Sequence, residues 1–506
     1  MDALPAKCAR WRRSVRRALG NPTLLAAMVL AILLAALAVA LAPALRSAIE
    51  IGPDEHYEVM KALLWAKGYP LYGNLWNDQP PLHTILLGLL FRCFGPTIGT
   101  ARALAAAFGL LLLAGLFVLV RRRCGAWAAL VAAATLLAAP QALELSVSVM
   151  LEVPAMAVGL WALWPICRWA ERPGGGSPCW LIASGVLLAT ALQIKLTAAI
   201  FAPALCAEIL LSTAGGGLAA AKERARNALL WCGSAGAWFV LLGLLLGSGY
   251  RQAWVSHFSA RTLGAAAARG SSFPPGLLLD HPEGLAGAVL GLALAVVLGR
   301  FRRVAFPYAL LLTVAPIHLM HRPWWPYYYL HFAIPLAWLA GYAVGELSCL
   351  PFRPGKRDWR RMVGLAGAAV PVAILLALIV TEGGGRLVSE VERVRGLPRI
   401  QDCQIVTTMR RYAARTHWVY ARSSIYAFHA GLPVPPELAV LAAKRFWSGQ
   451  ISDAQILAVI QRYAPEQILV SGEEFLTDEY VRRARHAQVY RDGDGTLYVT
   501  GSLLEP

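Results

Sequence analysis

Apolar runs of roughly 17 to 24 residues recur from Thr23 to Val380, each about the length a helix needs to cross a hydrocarbon core of ~30 Å. In lipid a backbone must satisfy its own polar groups, so runs of this length fold as helices. With 58% hydrophobic and 15% charged residues and a mean hydropathy of +0.53, the bilayer is the solvent for most of the chain.

A formal charge of +18 raises nucleic acid as a partner, but the placement of the charge argues against it. The basic residues gather between apolar runs: Arg10 to Arg17, Arg121 to Arg123, Lys222 to Arg226, Arg300 to Arg303, and Arg353 to Arg361. This is the positive-inside pattern, and it orients the chain. Placing these clusters inside gives about eleven spans, at 23–45, 100–120, 126–144, 153–168, 179–194, 197–212, 228–247, 283–299, 304–320, 330–348 and 362–380. The Arg-rich start followed by an apolar stretch has the outline of a signal peptide. It lacks a small-residue cleavage pattern, so it reads as an uncleaved first span with a cytoplasmic N-terminus. The segment 81–94 is too short to cross and reads as an interfacial or re-entrant helix.

This threading turns four regions outward: 46–99, 144–152, 248–282 and 321–329. Everything after Thr381 joins them. Hydrophobicity drops there, and WVYARSS, EQILVSG and TLYVTG alternate like short strands around the helical DAQILAVIQRYA. The expected architecture is a polytopic α-helical membrane protein, 1–380, with an extracytoplasmic α/β domain at 381–506. Nine cysteines show no metal-ligand spacing. The glycine runs at 174–176, 215–217 and 383–385 read as flexible joints, and none has the context of a phosphate loop, which excludes a nucleotide-driven pump.

The sharpest chemical feature is IEIGPDEHYE, where Asp54 and Glu55 follow a Gly-Pro break just beyond the first span, beside His56 and Glu58. Alone, the pair is equally a solvated acidic loop. Glu152, at the mouth of the fourth span in SVMLEVPAM, adds a second outward acid. Carboxylates meeting at one water–membrane boundary suit glycosyl transfer from a phosphate-linked donor, where an acceptor hydroxyl loses its proton as it attacks the anomeric carbon. Oxygen ligands of this kind also allow a divalent cation, Mg or Mn, as cofactor. The leaving phosphate needs positive charge more than it needs a proton. The aromatic segment HRPWWPYYYLHFAIP is either an interfacial belt or a sugar-stacking surface through Tyr327 and Tyr328, with His321 and Arg322 as cations for phosphate.

Six motifs in this order resemble the C-type (GT-C) glycosyltransferases related to protein O-mannosyltransferases and the lipid A aminoarabinose transferase, over roughly residues 20 to 380. They are the acidic pair, the Pro-Pro-Leu of DQPPLHTILLGLL, the Arg of TARALAAAFGLL, the Glu of MLEVPAM, the Lys of LQIKLTAAIFAPAL and the Tyr-rich segment. The resemblance implies a GT-C fold, Asp54 as general base, Glu152 as second acid and Glu55 as its neighbour. By the same resemblance Lys195 and Arg102 face the carrier phosphate, the alternative for each being a charge snorkelling at a span end. His56 and Asp78 join the expected substrate contacts. The relatives carry Lys before Pro-Pro-Leu, whereas this chain has Gln79, which removes one expected phosphate contact.

The implied activity is an inverting hexosyl or pentosyl transfer from a polyprenyl-phosphate sugar to a lipid, glycan or protein acceptor at the outer face of a bacterial plasma membrane. A transporter or lipid flippase is the competing class. It would show two related halves and paired broken helices, and neither is visible in the sequence.

Overall fold

The computed structural model describes residues 21–171, 176–213, 217–348, 359–471 and 475–505. The Arg10–Arg17 cluster, Gly174, Gly175, Gly215, Gly216 and the start of the Arg353–Arg361 cluster lie outside them.

Among the described residues four helices are long and apolar enough to cross a membrane: Pro22–Ser47, Ile98–Cys124, Gly217–Leu245 and Ala369–Arg395. Shorter apolar helices, including Ala126–Leu137, Cys179–Leu192, Leu196–Ser212, Pro282–Val297 and Ala305–Met320, pack among them. The first helix starts where Asn21 accepts from the Thr23 and Leu24 amides and Pro22 takes a position whose amide has no helical partner. It leaves Ile32 and Val39 67% and 77% exposed, the signature of an apolar surface that meets lipid. The chain is an integral membrane protein.

Several expected spans are broken. The 153–168 span is two helices, Glu152–Trp161 and Leu163–Ala170. The 126–144 span stops after Leu137 and resumes at Ala142–Val147, past Gln141 in the left-handed region. The segment at 81–94 forms the 13-residue helix Leu82–Phe94. Its length of about 20 Å falls short of the hydrocarbon core. The expected joint at 383–385 is instead helical, within Ala369–Arg395. Gly383 packs there because a Cβ would sit 2.9 Å from Glu283 Oε1, and Arg386 beside it donates to Glu283 at 2.8 Å.

Tyr329–Ser348 crosses Ala126–Leu137 at very close range. A Cβ on Gly341 would collide with the Ala128 carbonyl oxygen, and one on Gly345 would lie 2.7 Å from Ala128 Cβ. Small residues four apart let membrane helices approach backbone to backbone.

After Arg395 the chain forms a four-stranded sheet in the order β1-β2-β4-β3, from Val419–Ala421, Gln467–Val470, Thr496–Val499 and Ala487–Arg491. β1 and β2 are parallel, and the other pairs are antiparallel. Three of these strands and the helix Asp453–Tyr463 fall where the alternating patterns predict them. β3 was not foreseen, because an edge strand with only partial burial shows little alternation.

The apolar core of this segment is continuous with that of the helices Glu55–Ala66 and Leu82–Phe94. Val59, Met60, Leu64 and Phe91 pack in one cluster with Val406, Met409, Ile425 and Phe428. Hydrogen bonds join the same two regions, from Ile49 N to Pro398 O at 2.8 Å and from Trp76 Nε1 to Gln450 Oε1 at 2.9 Å. Residues 396–505 are therefore seated directly on the helices Glu55–Ala66 and Leu82–Phe94.

Gly341→Leu forces two helices apart and costs ~1–3 kcal/mol of overpacking. We expect a lower Tm for the detergent-solubilised protein, while Gly384→Leu, at a glycine with open space around it, leaves Tm unchanged. Equal Tm values for the two variants are inconsistent with this packing.

Candidate active site

The first helix ends at Ser47, and the chain turns back through Gly52 and Pro53 into the helix Glu55–Ala66. Gly52 is dictated by contact, since a Cβ there would lie 2.7 Å from Met150 Sδ and 2.9 Å from Ser148 Cβ. This brings the loop carrying Asp54 against the loop carrying Glu152. Asp54 occupies the N-cap position, where its carbonyl accepts from the Tyr57 and Glu58 amides at 3.1 and 3.2 Å. Its carboxylate makes no capping bond and points into a cavity of about 280 Å³.

Asp54, Asp78, Glu152, Lys195 and Tyr327, five of the residues expected from the sequence, line that cavity. Glu58, Lys61, Gln79, Trp325 and Lys444 complete much of the wall. Glu152 opens the helix Glu152–Trp161, is fully buried, and forms an ion pair with Lys195 Nζ. Glu152 Oε2 has no protein partner. The Lys195 ammonium also stands 4.8 Å from the centre of the Tyr327 ring, within cation–π range. Lys61 donates to Glu58 Oε1 at 2.8 Å and to Asn77 Oδ1 at 2.9 Å.

Behind two residues of the lining, His257, from the helix Tyr250–Phe258, bridges Asp78 and Lys444. Its Nε2 is 3.3 Å from Asp78 Oδ2, and its Nδ1 is 3.2 Å from Lys444 Nζ. Gln79 also touches His257, at 3.0 Å.

Burial pushes the Asp54 carboxyl above its ordinary value of 3.8, with the positive charge of Lys195 opposing and Glu58 reinforcing the rise. Asp78 behaves in the opposite way. Burial raises it, but the hydrogen bond and charge of His257, with Lys444 and Lys61, hold it below the usual carboxylate range. Burial lowers both His257 and Lys444. Two carboxyls of one cavity are thus driven apart, the pattern that separates a base from a permanently charged anchor.

Six other expected assignments are corrected. Glu55 and Arg102 are 0% and 1% exposed and form a closed unit away from the cavity. Glu55 accepts from Arg102 Nε and Nη2 at 3.0 and 2.6 Å and from the amides of Ile51 and Val149 at 2.8 and 3.1 Å. Arg102 Nη1 donates to the carbonyls of Ala44 and Ala48 at 3.2 and 2.9 Å. With every donor turned to the protein, Arg102 faces no phosphate. Arg322 and His321 are exposed outside the cavity, Arg322 donating to Ala267 O at 3.3 Å. His56 is held by Glu50 Oε1 at 2.6 Å and does not line the cavity. Tyr328 is buried behind Tyr327, packed on His318.

His257 and Lys444 were missed because nothing local marks them. Each reaches the site from a distant short helix, and only tertiary folding brings them together. Among the described residues no group of three or more His, Cys, Asp or Glu side chains is placed to hold one metal ion.

Residues 78–244 match the family of dolichyl-phosphate-mannose-protein mannosyltransferases. ArnT from Cupriavidus metallidurans bound to undecaprenyl phosphate superimposes with a TM-score of 0.64 at 17% identity, over 94% of this chain and 99% of that one. The chain has the fold of a C-type membrane glycosyltransferase. The same ArnT in the apo state gives a TM-score of 0.60 at 17% identity, over 95% of this chain and 100% of that one. No curated protein sequence matches the chain. The resemblance read from the six motifs is borne out. Four of them, at Pro80 to Leu82, Arg102, Glu152 and Lys195, lie inside the mannosyltransferase match, and the acidic pair and the Tyr-rich segment lie outside it. In this C-type glycosyltransferase fold the cavity sits where the first outer loop, several apolar helices and the C-terminal segment meet.

Removing one partner of a buried ion pair costs ~3–5 kcal/mol. Arg102→Ala is therefore expected to lower Tm and membrane yield sharply. Arg102→Lys should recover little, because a single ammonium cannot fork onto Glu55 while also reaching two carbonyls. A stable, well-expressed Arg102→Ala protein would refute this structural role.

Proposed function

We propose that the protein transfers a hexose or pentose, with inversion, from a polyprenyl-phosphate carrier to the hydroxyl of a lipid, glycan or protein acceptor at the outer face of a bacterial plasma membrane. The observation that carries this reading is the Asp54 carboxylate, free of any capping bond and raised by burial, in a cavity it shares with the Glu152–Lys195 pair. A base needs an accessible lone pair, which Asp54 has, and burial raises its proton affinity above that of an ordinary carboxylate.

In the step we infer, the acceptor O–H gives its proton to Asp54 as its oxygen bonds to the anomeric carbon. The bond from that carbon to the phosphate oxygen breaks on the opposite face, and the carrier leaves as a lipid phosphate. Lys195, held by Glu152, brings positive charge toward the leaving group. Trp325 and Tyr327 offer ring faces to the sugar. The eleven-span threading, with the C-terminal segment starting after Arg395, completes the reading. It places the cavity at the outer boundary, where a donor enters sideways from lipid.

Asp54→Asn keeps the shape of the side chain and removes its basicity. We expect turnover by the purified variant to fall by ~10² or more, with binding of lipid phosphate retained. Near-normal turnover would reject Asp54 as the base. Because the Asp54 carboxyl lies above 3.8 and acts only when ionised, kcat/KM of the native enzyme should rise with pH through an acid limb above that value. Asp54→Asn should lose that limb, and its persistence assigns the base elsewhere.

The threading is tested with reporters. One fused after Arg123 is expected to read cytoplasmic and one after Gly396 external, and a common side for both would break the eleven-span topology.

A further inference from the structure

Three lysines border the cavity, and two of them are neutralised where they stand. Lys61 is bonded to Glu58, and Lys195 to Glu152. Lys444 differs. It rises from the short helix Ala443–Trp447 of the C-terminal segment, and its one hydrogen bond among the described residues is to His257 Nδ1 at 3.2 Å. An ammonium has three donors, so two of them are unused. No carboxylate lies within ion-pair distance of it among the described residues, although Asp78, Asp54 and Glu152 all contribute field at its position.

The contact with His257 defines a relay. When Lys444 donates to Nδ1, the imidazole carries its own proton on Nε2, shared between the Asp78 carboxylate at 3.3 Å and the Gln79 amide at 3.0 Å, which presents its oxygen to the ring in this tautomer. Asp78 thereby fixes the ring, and the ring fixes the ammonium at the cavity wall. The adjoining wall is made by Val440, Ala442 and Ala443, whose small side chains leave the space in front of Lys444 open. A half-buried cation with two unfilled donors and only a neutral partner is costly as it stands, and an anionic ligand removes that cost.

We propose that Lys444 binds the phosphate of the lipid-linked donor, so that the C-terminal segment contributes a substrate-binding cation to the site. This rests on the polyprenyl-phosphate reading above. A phosphodiester gains charge on its leaving oxygens as the glycosidic bond breaks, so an unpaired ammonium there favours the departing phosphate over the bound donor. Lys195, whose charge is already shared with Glu152, adds to the positive field on the leaving group, and Lys444 supplies the direct contact. The Asp78–His257 pair acts through Lys444 and has a positioning role.

The test measures binding of undecaprenyl phosphate, and of uncharged undecaprenol as a control, to the full-length protein in detergent. Lys444→Met keeps the stem and loses the charge, and Lys444→Arg keeps the charge. We expect Lys444→Met to weaken undecaprenyl phosphate binding by about tenfold or more, the worth of a charged hydrogen bond, with undecaprenol binding unchanged. Lys444→Arg should stay within about threefold of the native protein. His257→Ala, which releases the ammonium, should fall between the two.

If Lys444→Met binds undecaprenyl phosphate as the native protein does, or loses undecaprenol equally, the assignment to phosphate is overturned. Should Lys444→Met prove unstable by thermal unfolding, the Met-to-Arg difference is read instead as the ratio of phosphate to alcohol affinity within each protein. An unchanged ratio overturns the assignment just as firmly. A native protein that fails to bind undecaprenyl phosphate at all overturns the donor reading itself. A native protein that binds it with no effect of Lys444 overturns only this inference.

Discussion

The fork between Arg102 and Glu55 is the interaction on which the site depends. It joins the end of the first helix through Ala44 and Ala48, the acidic loop through Ile51, the 148–152 loop through Val149 and the helix Ile98–Cys124 through Arg102 itself. Two charges removed from water are stable only when nearly every lone pair and proton is matched, and here the backbone does much of the matching. The reward is positional. With Glu55 turned inward and locked, the preceding residue is turned the other way, and Asp54 is delivered to the cavity with a free carboxylate. Gly52 makes the same registration possible from the steric side, by letting that loop touch Met150 and Ser148.

What the sequence made legible follows from range. Membrane helices reveal themselves because an apolar run is a local property, and Asp54, Glu152 and Lys195 stand out as charges at the ends of such runs. The direction a side chain faces is not local in this way. Asp54 and Glu55 are adjacent, and successive positions at a helix start point about 100° apart, so one of the pair must leave the site. The motif alone does not say which. Arg102 carries the same ambiguity, as a positive charge near the outer face that serves either a ligand or the fold. His257 and Lys444 stayed hidden for a different reason. They sit in short polar helices without periodicity, and their pairing is set by the way the C-terminal segment seats on the outer loop. Strand β3 escaped because its exposed edge carries polar and apolar residues with little order.

The cavity's electrostatics are built from opposing demands. It holds four carboxyls and three ammonium groups in a small space. If all were equally paired the site would be inert. Instead Glu58 and Glu152 each take a lysine, Asp78 takes a histidine and stays anionic, and Asp54 is left to be raised by burial. Asp54 is thus the carboxyl of the four left with no ion-pair partner among the described residues.

The shared core between residues 396–505 and the helices of the first outer loop has a consequence for biogenesis. Val440 to Lys444 leave the ribosome after every apolar helix has been made, yet they form one wall of the cavity. A nascent chain halted in the membrane therefore has Asp54, Glu152 and Lys195 in place but no closed chamber around them. The final wall arrives only when the last segment has been made and folded onto the surface prepared for it. Order of synthesis therefore closes the cavity last.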